Sequence, residues 1–264
     1  MIVAPPPTVA DSWPVGIVVA VALFGLAIGS FLNVVIARLP AGRSLVRPRS
    51  TCPGCSALLK WYDNIPVLSF LVLRGRCRTC GMTISWRYPI VEMVTAVVLV
   101  LAYAALGPTA DFAVAVVLLP ALIAITGIDL QHQLIPDAIT LPGILVGLLL
   151  NLATGRMSWV ESVIGIFLGG GLFFLIILVS RGGMGGGDLK LGAMLGAFLG
   201  WKALLFGLFV AIVLGGVIGA AFLATGVRGR KDPIPFGPFL AAGGAMALVW
   251  GERAFSWWVR GFVG

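Results

Sequence analysis

One histidine and ten carboxylates are nearly all that the 264 residues supply for acid–base chemistry near neutral pH. His132 stands alone, so a histidine-rich metal site is excluded and a histidine-based triad would rest on a single residue, read here as a polar loop group. Charged residues make up only 11% of the chain, against about 25% in a soluble globular protein. That scarcity excludes an ordinary soluble enzyme and a disordered chain. With four cysteines in all, a secreted disulfide scaffold is excluded too. There is no Gly-x-Gly-x-x-Gly fingerprint, no room for a dinucleotide-binding domain, and no Gly-Lys-Ser/Thr ending to a phosphate loop. No Gly-X-Y period, heptad or longer repeat is present. The start of the chain lacks a basic n-region, and its first apolar run is longer than a signal h-region, so a cleaved signal peptide is not expected.

What is abundant is apolar surface. Apolar residues reach 59%, mean hydropathy is +1.08, and 36 glycines offer the small contacts that membrane helices use to approach one another. A span needs about 20 mostly apolar residues. Candidate spans fall at 15–37, 90–106, 112–128, 139–153, 160–180, 189–200, 203–226 and 236–251. The expected fold is all-α, a polytopic membrane helix bundle of about eight spans with a small cytoplasmic loop domain. The expected divisions are 1–37 for the N-terminal segment and first helix, 38–89 for the loop and 90–264 for the membrane core.

Net charge is +8, and nine of the 18 Lys and Arg lie between Arg38 and Arg87. With that loop on the cytoplasmic side and eight helices in order, 14 basic residues fall inside, Arg181, Lys190, Arg228, Arg230 and Lys231 among them. Arg156, Lys202, Arg253 and Arg260 stay outside, which is a strong positive-inside bias. Both ends of the chain then lie outside. The positive charge reads as membrane orientation and contact with anionic lipid headgroups, not as nucleic-acid binding. Asp63, Asp129, Asp137, Asp188 and Asp232 gather on the same inner side.

All four cysteines lie in the basic loop, as Cys52-Pro-Gly-Cys55 and Cys77-Arg-Thr-Cys80. Two such knuckles suit a closed tetrahedral thiolate site for structural zinc, with Gly54 and Gly81 easing the turns. A redox pair and unmetallated thiols are the alternatives. A cytoplasmic setting disfavours disulfides, and a small polar loop gains most from a metal staple.

Carboxylates near apolar spans are costly, about 2.5–3.5 kcal/mol at a helix centre, and so invite a function. Asp129 closes a long apolar run, Asp137 follows Pro136 at the start of the next helix, and Asp188 follows Gly185-Gly-Gly187. Plainer roles exist: Asp137 and Asp188 as helix caps, Asp129 as partner to a loop arginine. The glycine run argues against a simple cap at Asp188, because three glycines carry an entropic penalty that clearance for an extended peptide would justify. Two carboxylates sharing one proton can activate water against a carbonyl and then protonate a leaving amine.

These residues, in order, resemble the bacterial type IV prepilin peptidases, the bifunctional leader peptidases and N-methyltransferases of pilus and type II secretion systems. The likeness runs through Gly29-Ser-Phe-Leu-Asn33, both cysteine pairs, Tyr62-Asp-Asn-Ile-Pro-Val-Leu-Ser69, Leu73-Arg-Gly-Arg-Cys77 and Ile84-Ser-Trp-Arg-Tyr-Pro-Ile-Val-Glu92. It continues through Ile128-Asp129, Ile135-Pro-Asp137, the Gly185-Gly-Gly187-Asp188 form of Gly-x-Gly-Asp, and Ile234-Pro-Phe-Gly-Pro238. The resemblance implies a catalytic pair of Asp129 and Asp188, with Asp137 outside it. It implies cleavage of the basic leader of prepilins or pseudopilins at the cytoplasmic face of the inner membrane. It also implies methylation of the new N-terminus by S-adenosylmethionine, a step assigned partly to the cysteine loop. Gly75 is the candidate for donor binding, a turn glycine before the second knuckle being its plainer reading. A peptidase without methylation, a membrane thiol oxidoreductase and a proton-coupled transporter are the competing classes.

Overall fold

The computed structural model describes residues 14–179, 185–226 and 234–263. Ser180, Arg181, Arg228, Arg230, Lys231 and Asp232 lie outside the described residues. The elements are α1 (Val15–Arg38), a short α2 (Leu68–Val72), α3 (Arg87–Leu106), α4 (Ala110–His132), α5 (Asp137–Thr154), α6 (Trp159–Val179), α7 (Gly186–Ala224) and α8 (Gly237–Val263). No strand forms among the described residues, only isolated bridges at Thr51–Leu58 and Arg76–Thr83. The helices are apolar on every face, and large side chains such as Phe167, Phe174 and Phe209 stand exposed. A surface of that kind suits lipid and not water. Six helices (α1 and α3 to α7) are long and apolar enough to cross a membrane, which makes this a multi-pass membrane protein.

α7 runs for 39 residues, about 58 Å if straight, nearly twice the hydrocarbon thickness. It is not straight. Gly200 interrupts it at φ +69°, a conformation that glycine adopts without penalty. Beyond this point the chain folds back. Gly169 of α6 lies against Gly192 in the first arm and against Leu204 in the second, and Gly244 of α8 faces Leu195 while Gly243 faces Gly207. The arms 186–199 and 201–224 are thus the two separate spans expected at 189–200 and 203–226. Counting both arms and α8, the bundle has eight helical segments, the first arm of α7 being the shortest. The turn frees carbonyls that lipid would leave unsatisfied. Asn151, fully buried, donates to Ala197 O and Phe198 O at 2.9 and 3.2 Å, and Arg156 donates to Phe198 O at 2.8 Å while pairing with Asp111.

Glycine sets the closest helix contacts. Gly165 meets Gly196 and Gly169 meets Gly192 between α6 and α7, Gly207 meets Gly243 between α7 and α8, and Gly25 and Gly29 admit Ala96 and Glu92 of α3. Each pair leaves no space for a side chain and brings the backbones together. α4 runs deepest in the bundle, its Leu118, Leu122 and Ile125 packing with Leu191, Met194 and Phe198 of α7. Asp111 begins α4 and Asp129 stands near its end, so Arg156 and Asp129 mark opposite ends of the bundle.

α8 continues twelve residues beyond the expected boundary at 251. Its extension carries Arg253, Trp257, Trp258 and Arg260, and the two tryptophans are exposed. Tryptophan and arginine of this kind belong at a membrane interface, where apolarity alone gives no signal.

Candidate active site

Two cavities open at the loop end of the bundle. The first, about 910 Å³, is bordered by the end of α4, the start of α5, the start of α7 and the 234–236 segment. Both Asp129 and Asp188 line it. Asp129 is buried, and its Oδ2 accepts the Gly237 backbone N–H at 2.9 Å. Glycine at 237 lets that oxygen close on the backbone, since a Cβ would sit 2.6 Å from it and push the carboxylate away. Asp129 thus has a backbone donor for its partner and not the loop arginine considered from sequence. Asp188 lies in the first turn of α7, where Gly185 is the cap and no side-chain cap bond forms. Its carboxylate is within electrostatic reach of Asp129. Two carboxylates so placed around one cavity can hold a proton between them and activate a water molecule.

The glycine run divides in its duties. Among the described residues, Gly186 borders open space and Gly185 meets nothing closer than 3.9 Å, whereas Gly187 lets α7 approach Ile135, whose Cβ would be 2.8 Å from an added methyl. Clearance at Gly187 therefore serves packing within the chain. Asp137 does not cap α5; Pro136 holds the cap position without a side-chain bond. Asp137 instead receives Lys190 Nζ at 2.6 and 2.7 Å, and both residues line the cavity. This cross-link between α5 and α7 has no sequence signature, as 53 residues separate its ends. His132 is exposed at the end of α4, in keeping with a polar surface group.

The cysteine loop sits at the same end. Arg87 at the start of α3 bonds Gln131, two residues after Asp129. Cys52, Cys55, Cys77 and Cys80 bring their sulfurs within 4.8 Å of one another. Cys52 Sγ and Cys80 Sγ are 3.8 Å apart, the edge expected of a tetrahedron with metal–sulfur bonds of about 2.3 Å. Each knuckle closes in the same way: Cys52 N–H bonds Ala57 O and Ser56 N–H bonds Cys52 O, while Cys77 N–H bonds Met82 O and Gly81 N–H bonds Cys77 O. The left-handed position after the second cysteine of each pair falls on Ser56 and Gly81. Gly54 has a different task from the turn role expected of it, leaving room for the Met82 side chain. The Cys77 thiol is drawn down to about 6, chiefly by the backbone N–H of Cys80 and then that of Thr79. Cys80, by contrast, is pushed up to about 11 by burial and the neighbouring thiols, so Cys77 is the thiolate the fold itself favours. The cluster has the ligand set and spacing of a metal site.

The second cavity, about 680 Å³, lies between the latter half of α1, the cysteine loop and the start of α3. Asn33 and Glu92 line it, and both are buried. Neither was given a role by the sequence, although a carboxylate a turn inside an apolar helix is a signal in itself. Gly75 is not among the lining residues. Its N–H bonds Phe70 O, its carbonyl receives Ile84 N–H, and an added Cβ would stand 3.0 Å from the Phe70 ring, which does line the cavity. Of the loop cations, Arg78 pairs with Asp63 at 2.8 Å, and Arg38 and Arg43 bond backbone carbonyls.

The Bacterial Peptidase A24 N-terminal domain matches residues 23–106, and the Type IV leader peptidase family matches residues 116–220. The prepilin leader peptidase/N-methyltransferase of Aeromonas hydrophila is 40% identical over 270 residues, covering 91% of this chain and 93% of that protein. The protein of the same name from Bacillus subtilis is 36% identical, covering 90% of this chain and 96% of its own length. That from Myxococcus xanthus is 45% identical over 80% of this chain and 66% of its own. No solved structure matches the chain. With identity this high along nearly the whole of both partners, the chain belongs to the type IV leader peptidase family.

Proposed function

We propose that this protein removes the basic leader of prepilins or pseudopilins and then methylates the exposed N-terminal amine. Asp129 and Asp188 form the peptidase pair. The observation that carries this is the convergence of two carboxylates, one from α4 and one from α7, on a single cavity at the loop end of the bundle. One carboxylate, ionised, takes a proton from water as it attacks the scissile carbonyl. The other, protonated, polarises that carbonyl and later helps to protonate the leaving amine. Gly237 N–H fixes the Asp129 side chain, and the open sides of Gly185 and Gly186 admit unwound substrate backbone. The apolar helix of the substrate approaches through lipid, and its basic leader is drawn toward the acids.

The inner membrane is the setting, with this end of the bundle toward the cytoplasm. The positive-inside bias supports that orientation. Unpaired loop cations face anionic headgroups. Zinc is the metal of the four thiolates, a structural role with no open position. The grouping of all four sulfurs into one quartet favours it over two separate redox pairs. S-Adenosylmethionine is the methyl donor, and Gly75 acts on its site by leaving room for the Phe70 ring, which lines the second cavity.

Purified full-length protein, incubated with a prepilin and S-adenosylmethionine and read by mass spectrometry, tests both halves. The expected product has lost its leader and gained one methyl group. An intact prepilin would refute the peptidase, and a cleaved, unmethylated product would refute the transferase.

A further inference from the structure

The cavity beside α1 holds features that the peptidase reaction does not use. Asn33 is 3% exposed, and its Nδ2 donates to Tyr88 O at 3.0 Å. That bond fixes the amide, and Oδ1 is left buried without a partner. Native structures rarely leave such an acceptor unpaired, and a bound molecule is one of the standard explanations. Glu92 is 7% exposed and lines the same space. Its Oε2 accepts Val67 N–H at 2.7 Å.

Val67 itself sits at φ +60°, in a tight turn closed by Leu68 N–H on Pro66 O. A β-branched residue there is a genuine outlier, and strain of this kind collects at functional sites. Glu92 thus ties a strained loop turn to a membrane helix at the wall of a cavity.

Arg38, Arg87, Phe70 and Tyr88 also line the cavity. Its volume falls within the roughly 300–1,000 Å³ of small-molecule sites. A lining with both charge signs, aromatic faces and an unpaired acceptor matches an adenosyl amino acid with its own carboxylate and cationic centre. The place is also right for the reaction. Arg38 lines this cavity and the adjacent Leu39 lines the one containing Asp129, while Arg87 bonds Gln131 of α4.

Resting on the two-step function proposed above, we infer that within this cavity Asn33 Oδ1 accepts an N–H of the methyl donor and Glu92 receives the proton of the substrate amine. A free N-terminal amine has an ordinary pKa of about 7.7–8.0, so at neutral pH it is mostly the ammonium and must lose a proton to become a nucleophile. Glu92 takes that proton. The amine nitrogen then bonds the methyl carbon, and the donor sulfur keeps the electron pair of the broken bond as a neutral thioether.

The test uses full-length protein, a prepilin and an S-adenosylmethionine analogue bearing a photoreactive adenine. In wild type the crosslink should map to 30–38, 70–73 or 84–92. Asn33→Leu should weaken donor binding about tenfold or more. Glu92→Gln, which keeps an acceptor for Val67, should retain binding but slow methylation about a hundredfold. That variant should also flatten the pH dependence of methylation, and Glu92→Asp should restore part of the rate. Leader cleavage by each variant reports that it has folded. A crosslink confined to other segments, or normal methylation by Glu92→Gln, would overturn the assignment while leaving the two-step function standing. Wild type that neither binds the donor nor methylates would overturn both.

Discussion

Asp129 and Asp188 were legible in the sequence because acids are so few and both border apolar runs. Their surroundings were not. Gly237 N–H reaches Asp129 across 108 residues, and Lys190 finds Asp137 across 53. Such pairs depend on how helices pack, which local pattern does not encode. Gly237→Ala should displace Asp129, since the new methyl would stand 2.6 Å from Oδ2. The expected result is leader cleavage slowed at least about tenfold, with protein yield maintained; unchanged kcat for the purified variant would remove Gly237 from the site. Asn33 and Glu92 are the other residues found only in the folded chain. An asparagine inside a long apolar helix was visible, but its unpaired oxygen was not.

Among elements, apolar runs located the helices well but misjudged where some end. α3 begins at Arg87, ahead of the expected 90, and α8 runs on to Val263 through its interfacial tryptophans. The separate runs 189–200 and 203–226 did anticipate the fold-back of α7, although one glycine among so many gave no hint that Gly200 was the turning point. The glycine contacts make firm predictions. Gly196→Leu would force α6 and α7 apart where their backbones touch at Gly165. Overpacking of this kind costs about 1–3 kcal/mol, and the reversible unfolding midpoint in detergent should fall accordingly. Asn151→Leu should be comparably harmful, because the Ala197 carbonyl loses its donor at the turn, at about 1–3 kcal/mol. A midpoint equal to that of wild type would contradict the role given to Asn151.

On the scale of the whole molecule, both cavities and the cysteine cluster stand at one end, and the Arg156–Asp111 pair marks the other. Charge alone had placed the loop and the acids on one side, and the packing agrees. The cysteine spacing had likewise announced the quartet, while the cavity behind it emerges only when α1, α3 and the loop meet. The cluster shapes the wall of that cavity, with Cys52 and Cys77 among its lining residues, and lies outside the Asp129 cavity. Elemental analysis should therefore find one zinc per chain in wild type and none in a variant carrying Cys52→Ser and Cys77→Ser. Stripping the metal with a chelator should reduce S-adenosylmethionine binding about tenfold or more and affect leader cleavage far less. Equal loss of both activities would mean that the loop serves the peptidase directly.

Leader cleavage by this protein rests above all on the two aspartates acting as a pair. The most direct measurement is the rate of prepilin cleavage by purified Asp129→Asn and Asp188→Asn proteins, read by mass spectrometry, with S-adenosylmethionine binding as the check on folding. Each variant should lose at least about a hundredfold in rate while still binding the donor, since each substitution removes one half of the proton exchange. Cleavage near the wild-type rate by either variant would contradict the aspartate pair.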